Sequence, residues 1–378
     1  MTFDIKTDIR ISYEYAPETY RYIDCDTFDI QIDRGIEIDQ GVFARPSVGT
    51  AIIGLMKSSL SDLVSGPEYK SNMNLIIEYN DGSWHPLFYG YIQNVSMAYV
   101  AETKKLRVTI VAEDMARIAL NTRLPSFAMT GTSTQKSFRT VMANLEDAVR
   151  AVDSRTAWGQ SGSGGSSTAT NDYFEVEVIS GEILNMILDA ELGWFWAEPG
   201  GFCSWKTRAD INTAQGTAWS SGNPTISNVH SASVNHYCMN DFDYSWDSDS
   251  MCNVVKVTET GGGATATSTN SGSVTNYGRQ ASDFEVNFWN TSGLGTLGNW
   301  ASAVSNSANP AQVKSVTLPV VRRDGTLSTV LTKEIAYPMQ VAFNSGATTL
   351  EEISLIYRIR HSIDADHWEI TLGLWRGI

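Results

Sequence analysis

Four carboxylates crowd one short stretch: Asp241, Asp243, Asp247 and Asp249 fall within nine residues. Acids at alternating positions could ligate Ca²⁺, and a helix–loop–helix site needs them at positions 1, 3 and 5, with Gly at 6 and Glu at 12. Asp241 and Asp243 satisfy the first two, but Ser245 and Trp246 stand where an acid and a glycine belong. A polar strand face is the expected reading. His230, His236 and Cys238 are soft ligands without a fourth partner at a zinc-like spacing. The Gly/Ser-rich run from Trp158 to Thr170 has no following Gly-Lys-Ser/Thr and no apolar strand leading directly into it, so it reads as a mobile loop, not a phosphate cradle. H-E-x-x-H, G-x-S-x-G and Cys/His nucleophile patterns are absent. Paired carboxylates in an acidic chain do not argue for a glycosidase without geometry. No catalytic residue, metal site or cofactor is expected, and an enzyme is not the favoured class.

The chain carries eleven tryptophans, and Trp84, Trp194, Trp196, Trp205, Trp289, Trp300, Trp368 and Trp375 lie in or beside expected elements. Exposed rings could stack sugars, but large aromatics more commonly fill cores or anchor subunit interfaces. Core and interface together are the expected role.

The elements that position these residues are mainly strands. The chain has 378 residues, 18% of them charged, and a net charge of −15, so length allows two or three domains and charge disfavours a grip on nucleic acid. Acidity promotes solubility, and it would also suit a conduit along which DNA slides without binding. Cys25, Cys203, Cys238 and Cys252 form no C-x-x-C pair and are expected as reduced, mostly buried thiols. The N-terminus has neither the basic nor the apolar region of a signal peptide, and no window approaches 18 apolar residues. A protein made in the cytosol is the expectation.

Residues 1–118 alternate as strands: Phe28, Ile30 and Ile32; Leu75, Ile77 and Tyr79 before the turn Asn80–Asp81–Gly82; then Val95, Met97 and Tyr99 on one face, and Leu106, Val108 and Ile110. Gly90 inside a strand fits a bulge or a close backbone approach. Residues 119–240 are mixed. Phe138, Val141, Met142, Leu145, Val149 and Val152 make a helical stripe. Ser180 is expected to cap a second helix that ends at Gly193 and feeds a hairpin, Trp194–Ala197 with Phe202–Arg208. Residues 241–378 return to β, with a short helix expected from Gly298 to Ala308 before Pro310. Gln160–Thr170 and Gly261–Gly272 lack apolar periodicity and are expected as exposed loops. Ile353, Leu355, Tyr357, Ile359, His361 and Ile363 alternate up to Asp364–Ala365–Asp366, and Trp368, Ile370, Leu372 and Leu374 alternate after it. This is a terminal β-hairpin.

The wording of that hairpin, His361, Ile363, Asp364, Trp368, Thr371 and Leu372, resembles the final hairpin of tail hub proteins of long-tailed bacteriophages. So does an ordered series upstream: Ile32-Asp33-Arg34-Gly35, then Gly49-Thr50 with Leu55, then Leu87, Phe88, Gly90 and Ile92, then the Asn253–Val257 strand and Tyr277–Gln280. Met56–Ser59 departs from the pattern, which there usually shows a polar N-x-D-G loop. The resemblance covers most of the chain. It implies a mainly β fold with two β-barrel-like hub domains, 1–118 and 241–378, flanking an α/β middle domain, 119–240. It implies a virion structural protein at the tail tip, assembled in the host cytoplasm: a homotrimer whose ring continues the tail tube. Its partners would be the distal tail protein, the tape measure protein and tail-tip or receptor-binding proteins, with DNA passing through the lumen without specific binding. Arg34, Gly35, Gly90, Asn253, His361, Asp364 and Trp368 are the structural or interface candidates. A carbohydrate-binding or glycan-degrading tail-tip module and the distal tail protein are the alternatives.

Overall fold

Alternating apolar and polar residues make strands of most of the chain. The computed structural model describes residues 8–24, 26–39, 43–128, 138–160, 173–174, 177–208, 210–211, 225–229, 236–246, 252–259, 264–286, 311–320, 322–323, 326–327, 329–346 and 349–376. The first eight strands are β1 (Ile9–Ala16), β2 (Thr19–Tyr22), β3 (Thr27–Asp39), β4 (Phe43–Pro46), β5 (Thr50–Lys57), β6 (Asn74–Asn80), β7 (Trp84–Val100) and β8 (Lys105–Asp114). The turn between β6 and β7 is Asn80–Asp81–Gly82, where the Asn80 side chain accepts from the Gly82 N–H at 3.0 Å. Helices α1 (Ser61–Ser65), α2 (Ala116–Asn121), α3 (Phe138–Val152) and α4 (Ser180–Glu191) follow, with the hairpin β9 (Trp194–Ala197) and β10 (Cys203–Lys206). The C-terminal part holds β11 (Thr225–Ser227), β12 (His236–Cys238), β13 (Asp241–Trp246), β14 (Val254–Glu259), β15 (Thr265–Thr269), α5 (Ser271–Tyr277), β16 (Ala281–Val286), β17 (Ala311–Pro319), β18 (Pro338–Asn344), β19 (Thr349–Ile363) and β20 (Trp368–Trp375).

The pairing among the described residues does not mark out two barrels. Both β regions join one 15-stranded sheet in the order β12-β11-β18-β19-β3-β5-β8-β7-β6-β1-β2, with β20, β17 and β13 branching from β19 and β4 from β3. Among the described residues this strand order does not close on itself. The spine is β19. Leu355 pairs with both Pro338 and Trp375, so β18 and β20 lie on its opposite edges. Arg358–Ile363 pair with Gly35–Ile30 of β3 and also with β20, so β3 and β18 share one edge end to end. A bulge separates Ile356 from Arg358 in the pairing with β20. The bulge reverses the sides of the strand. Ile359, His361 and Ile363 are buried as the alternation predicts, but before the bulge Ser354 and Ile356 are buried with Leu355.

The middle segment forms a second core. Phe138, Val141, Met142, Leu145 and Val149 of α3 meet Ile183, Leu184, Ile187 and Leu188 of α4, while Val152, at the end of the stripe, is 53% exposed. Ser180 does not cap α4 in the expected way: its hydroxyl donates to the Ala119 carbonyl at 2.6 Å and ties α4 to α2. The helix ends at Leu192 in the left-handed region, one residue before Gly193. All four residues of β9 are buried. Trp194 and Trp196 enter the sheet core and Phe195 and Ala197 the helical core. The two-residue alternation of a strand thus joins the two cores.

The stretch Gly261–Gly272 is not simply a loop, because Thr265–Thr269 is β15, paired with β14. Polar clips replace apolar burial there. Asn270 caps α5 by accepting from the Ser273 N–H at 3.1 Å. Asn253, fully buried, donates to the Gly278 carbonyl at 2.7 Å and accepts from the Gln280 N–H at 2.8 Å. Asn253→Ala is expected to cost about 1–2 kcal/mol by removing these two hydrogen bonds. Urea unfolding, with faster hydrogen exchange at Gln280, checks it, and an unchanged midpoint contradicts it. The expected 298–308 helix, the 161–170 loop, Cys25, His230, Asp247, Asp249, Trp289 and Trp300 lie outside the described residues.

Candidate functional site

The I-D-R-G strand carries a charged side chain into the interior. Arg34 points inward from β3 with only 2% of its side chain exposed. Its Nη1 and Nη2 donate to Glu334 at 3.2 and 3.3 Å, and Nη1 also reaches the Ala197 carbonyl at 3.4 Å. Its Nε finds no partner among the described residues. Glu198, at the end of β9, accepts from Trp196 Nε1 at 2.8 Å. Burial, then the nearby Glu334 charge, raises its carboxyl above the usual range. Lys206 of β10 donates to the Ala336 carbonyl at 3.4 Å, and burial lowers its ammonium pKa. His361, buried on β19, accepts from Trp368 Nε1 at 3.4 Å. Burial, with help from the Arg34 charge, pushes its imidazole down to about 3, so it is neutral. On the outer surface Asp33 takes a fork from Arg358, both contacts at 2.7 Å, and a third contact from Arg360 at 2.9 Å.

Five of the seven sequence candidates fall on or between β3, β19 and β20. Arg34 and Gly35 are on β3, His361 on β19, Trp368 on β20, and Asp364 in the turn between those two. Asp364 accepts from the N–H groups of Asp366 and His367 at 2.9 and 2.8 Å. Gly90 stands apart at the crossing of β6, β7 and β8, where a Cβ would lie 2.2 Å from the Glu113 carbonyl oxygen. Asn253 belongs to the separate sheet of β14, β15 and β16. Sequence reasoning missed Glu334, Glu198, Lys206 and Asp114. They are isolated charges in unrelated segments, and only the fold brings Glu334, Glu198 and Asp114 near Arg34 and Lys206 near Glu198. The cluster holds no nucleophile paired with a base, and its chemistry is that of a buried ionic tie between segments. Among the described residues no group of three His, Cys, Asp or Glu could hold a metal ion. No disulfide joins Cys203, Cys238 and Cys252, and burial pushes the Cys203 thiol up.

No protein-family model matches the sequence, and no curated protein does either. Solved structures do match. A tail protein from Neisseria meningitidis MC58 superimposes with a TM-score of 0.64 at 11% identity, covering 98% of this chain and 96% of that one. The 43 kDa tail protein of prophage MuSo2 from Shewanella oneidensis matches with a TM-score of 0.64 at 12% identity, covering 98% of both chains. The chain has the fold of phage tail proteins. An E. coli component of the type VI secretion system, described as structurally similar to the T4 bacteriophage tail proteins gp27 and gp5, shares it at a TM-score of 0.50 and 7% identity, covering 94% of this chain and 74% of that one. Among the described residues no helix is long and apolar enough to cross a membrane.

Within this tail-protein fold the interior charges set a testable pH response. Asp114, at the end of β8, is almost wholly buried and accepts from the Ala116 N–H at 3.1 Å. Burial pushes its carboxyl up to about 7 against the opposing pull of backbone N–H groups and Arg34. The folded state therefore keeps a proton that the unfolded chain releases above pH ~4, so this contribution is full in acid and is lost as pH rises toward 7. His361 works in the opposite sense: its contribution is full above pH ~6.5 and is lost as pH falls toward 3. The two slopes oppose each other between pH ~4 and ~6.5. Relative to the parent, His361→Asn is expected to gain stability as pH falls through that window, and Asp114→Asn to lose it, each by at most about 1.4 kcal/mol per pH unit. Urea unfolding at pH values across the window checks the signs. Parallel curves for both variants and the parent contradict the assignment.

Proposed function

We propose that this chain is the hub of a phage or prophage tail, a structural protein at the tail tip. The observation that carries the reading is the match of nearly the whole chain to nearly the whole of two tail proteins. The E. coli neighbour, itself described as resembling T4 gp27 and gp5, favours a hub over a distal tail protein. In this reading three copies close a ring that continues the tail tube. The 1–118 and 241–378 regions supply the ring wall, and the 119–240 segment buttresses it. The distal tail protein and tape measure protein meet the ring on the tube side, and tip or receptor-binding proteins on the other. DNA passes through the lumen without specific binding, as suits a chain of net charge −15. Among the described residues the sheet does not close, and association of copies would cover its end strands. Light scattering of the concentrated protein, together with cross-linking of intact particles, tests the stoichiometry. Three copies are expected, and a monomer in both overturns the reading.

A further inference from the structure

Lys57, Ser58 and Ser59, in the stretch that departs from the hub pattern, line a surface cleft of about 440 Å³ beside β1 and β2. We propose that this cleft is a saccharide-binding site. Its volume lies in the range of small-molecule sites, about 300–1,000 Å³. Its base is aromatic: Tyr13 and Tyr69 are each 3% exposed and pack edge to face with ring centres 5.7 Å apart. At the rim Tyr22 is 65% exposed, and its hydroxyl accepts from Arg10 at 3.2 Å. A sugar ring has an apolar C–H face that stacks on such a ring and an edge of hydroxyls that needs fixed polar partners.

The cleft supplies those partners already oriented. Lys57 is held by Asp62 at 2.7 Å. Glu68 accepts from the Tyr13 hydroxyl at 2.7 Å and from Arg21 at 2.8 Å. Asp26 accepts from Lys105 and from the Ser58 hydroxyl at 2.7 and 2.6 Å. An ionised carboxylate has about four lone-pair positions, so Glu68, with two donors on it, retains capacity for a ligand hydroxyl. The same pairing argues against a cationic ligand, because three of the four carboxylates at the cleft already face a cation. An apolar ligand is disfavoured too, since it would strip water from these groups and return no hydrogen bond. Asp24, exposed on the cleft wall, makes no such pairing among the described residues and is the open acceptor.

Saturation-transfer NMR on the full chain, with glucose, galactose and N-acetylglucosamine as probes and spermidine as the cationic alternative, tests the site. Transfer to at least one of the sugars is expected, weakened about tenfold or more by Tyr22→Ala and by Asp24→Asn, because each removes a stacking face or a charge-assisted hydrogen bond. Both side chains are exposed, so melting temperatures should match the parent's. Tyr22→Phe, which keeps the ring, should retain binding. Silence from all three sugars overturns the proposal. So does binding that survives both variants, or transfer to spermidine alone. None of these outcomes bears on the hub reading, which rests on the fold.

Discussion

Trp368→Ala is expected to destabilise the protein by about 3–5 kcal/mol, the cost of deleting a large aromatic from a packed core. Trp368 is 3% exposed, and its ring lies 6.1 Å edge to face from Tyr79 of β6 and 6.1 Å from His361 of β19. It therefore packs the last hairpin against the N-terminal strands. The deletion would also strip His361 of the indole N–H that it accepts. Asp364→Ala in the adjoining turn should cost under about 1 kcal/mol, since its side chain is 58% exposed. Urea denaturation of both variants gives the comparison. If Trp368→Ala keeps parental stability yet particles lose adhesion to cells, the residue is a recognition group and the account of the hairpin is wrong.

Gly35→Ala is expected to be nearly as damaging, at about 3 kcal/mol or more. Gly35 has φ +140°, and a Cβ built on it would lie 2.3 Å from the Tyr357 carbonyl oxygen and 2.7 Å from the Arg358 Cα. Both obstacles are backbone atoms, so no side chain can swing aside. The crowding falls where β3 leaves β19, next to the bulge. Gly82→Ala is the control. Its φ is +92°, but nothing lies within 4 Å of the added carbon, so only the backbone strain of about 1–2 kcal/mol applies. Equal costs for the two substitutions would show that the close approach of β3 and β19 does not matter. Faster amide exchange along Arg358–Ile363 in Gly35→Ala alone would locate the damage.

Local periodicity made the strands and helices legible. The hairpin around Asn80–Gly82, the α3 stripe and the terminal hairpin all follow from side-chain spacing within a few residues. The joining of β3 to β19 was not legible, because it pairs residues more than 300 positions apart and leaves no trace in local pattern. The reversal before Tyr357 was missed for a related reason: a bulge is a response to the neighbouring strands, not to the alternation of its own. Thr265–Thr269 reads as a loop because it lacks apolar residues, yet pairing with β14 and the Asn253 and Asn270 clips order its surroundings. Arg34 was visible as part of a motif. Its partner Glu334 was not, since a single carboxylate in an acidic chain carries no spacing to recognise.

The proposed hub is a ring of three copies at the end of a tail tube. Electron cryo-microscopy of intact particles, with this chain located by a specific antibody fragment, measures it directly. The account predicts three-fold density at the tail tip, coaxial with the tube, into which the sheet joined through β3 and β19 fits once per subunit. Labelling on peripheral fibres, or six equivalent copies at the tip, would contradict it.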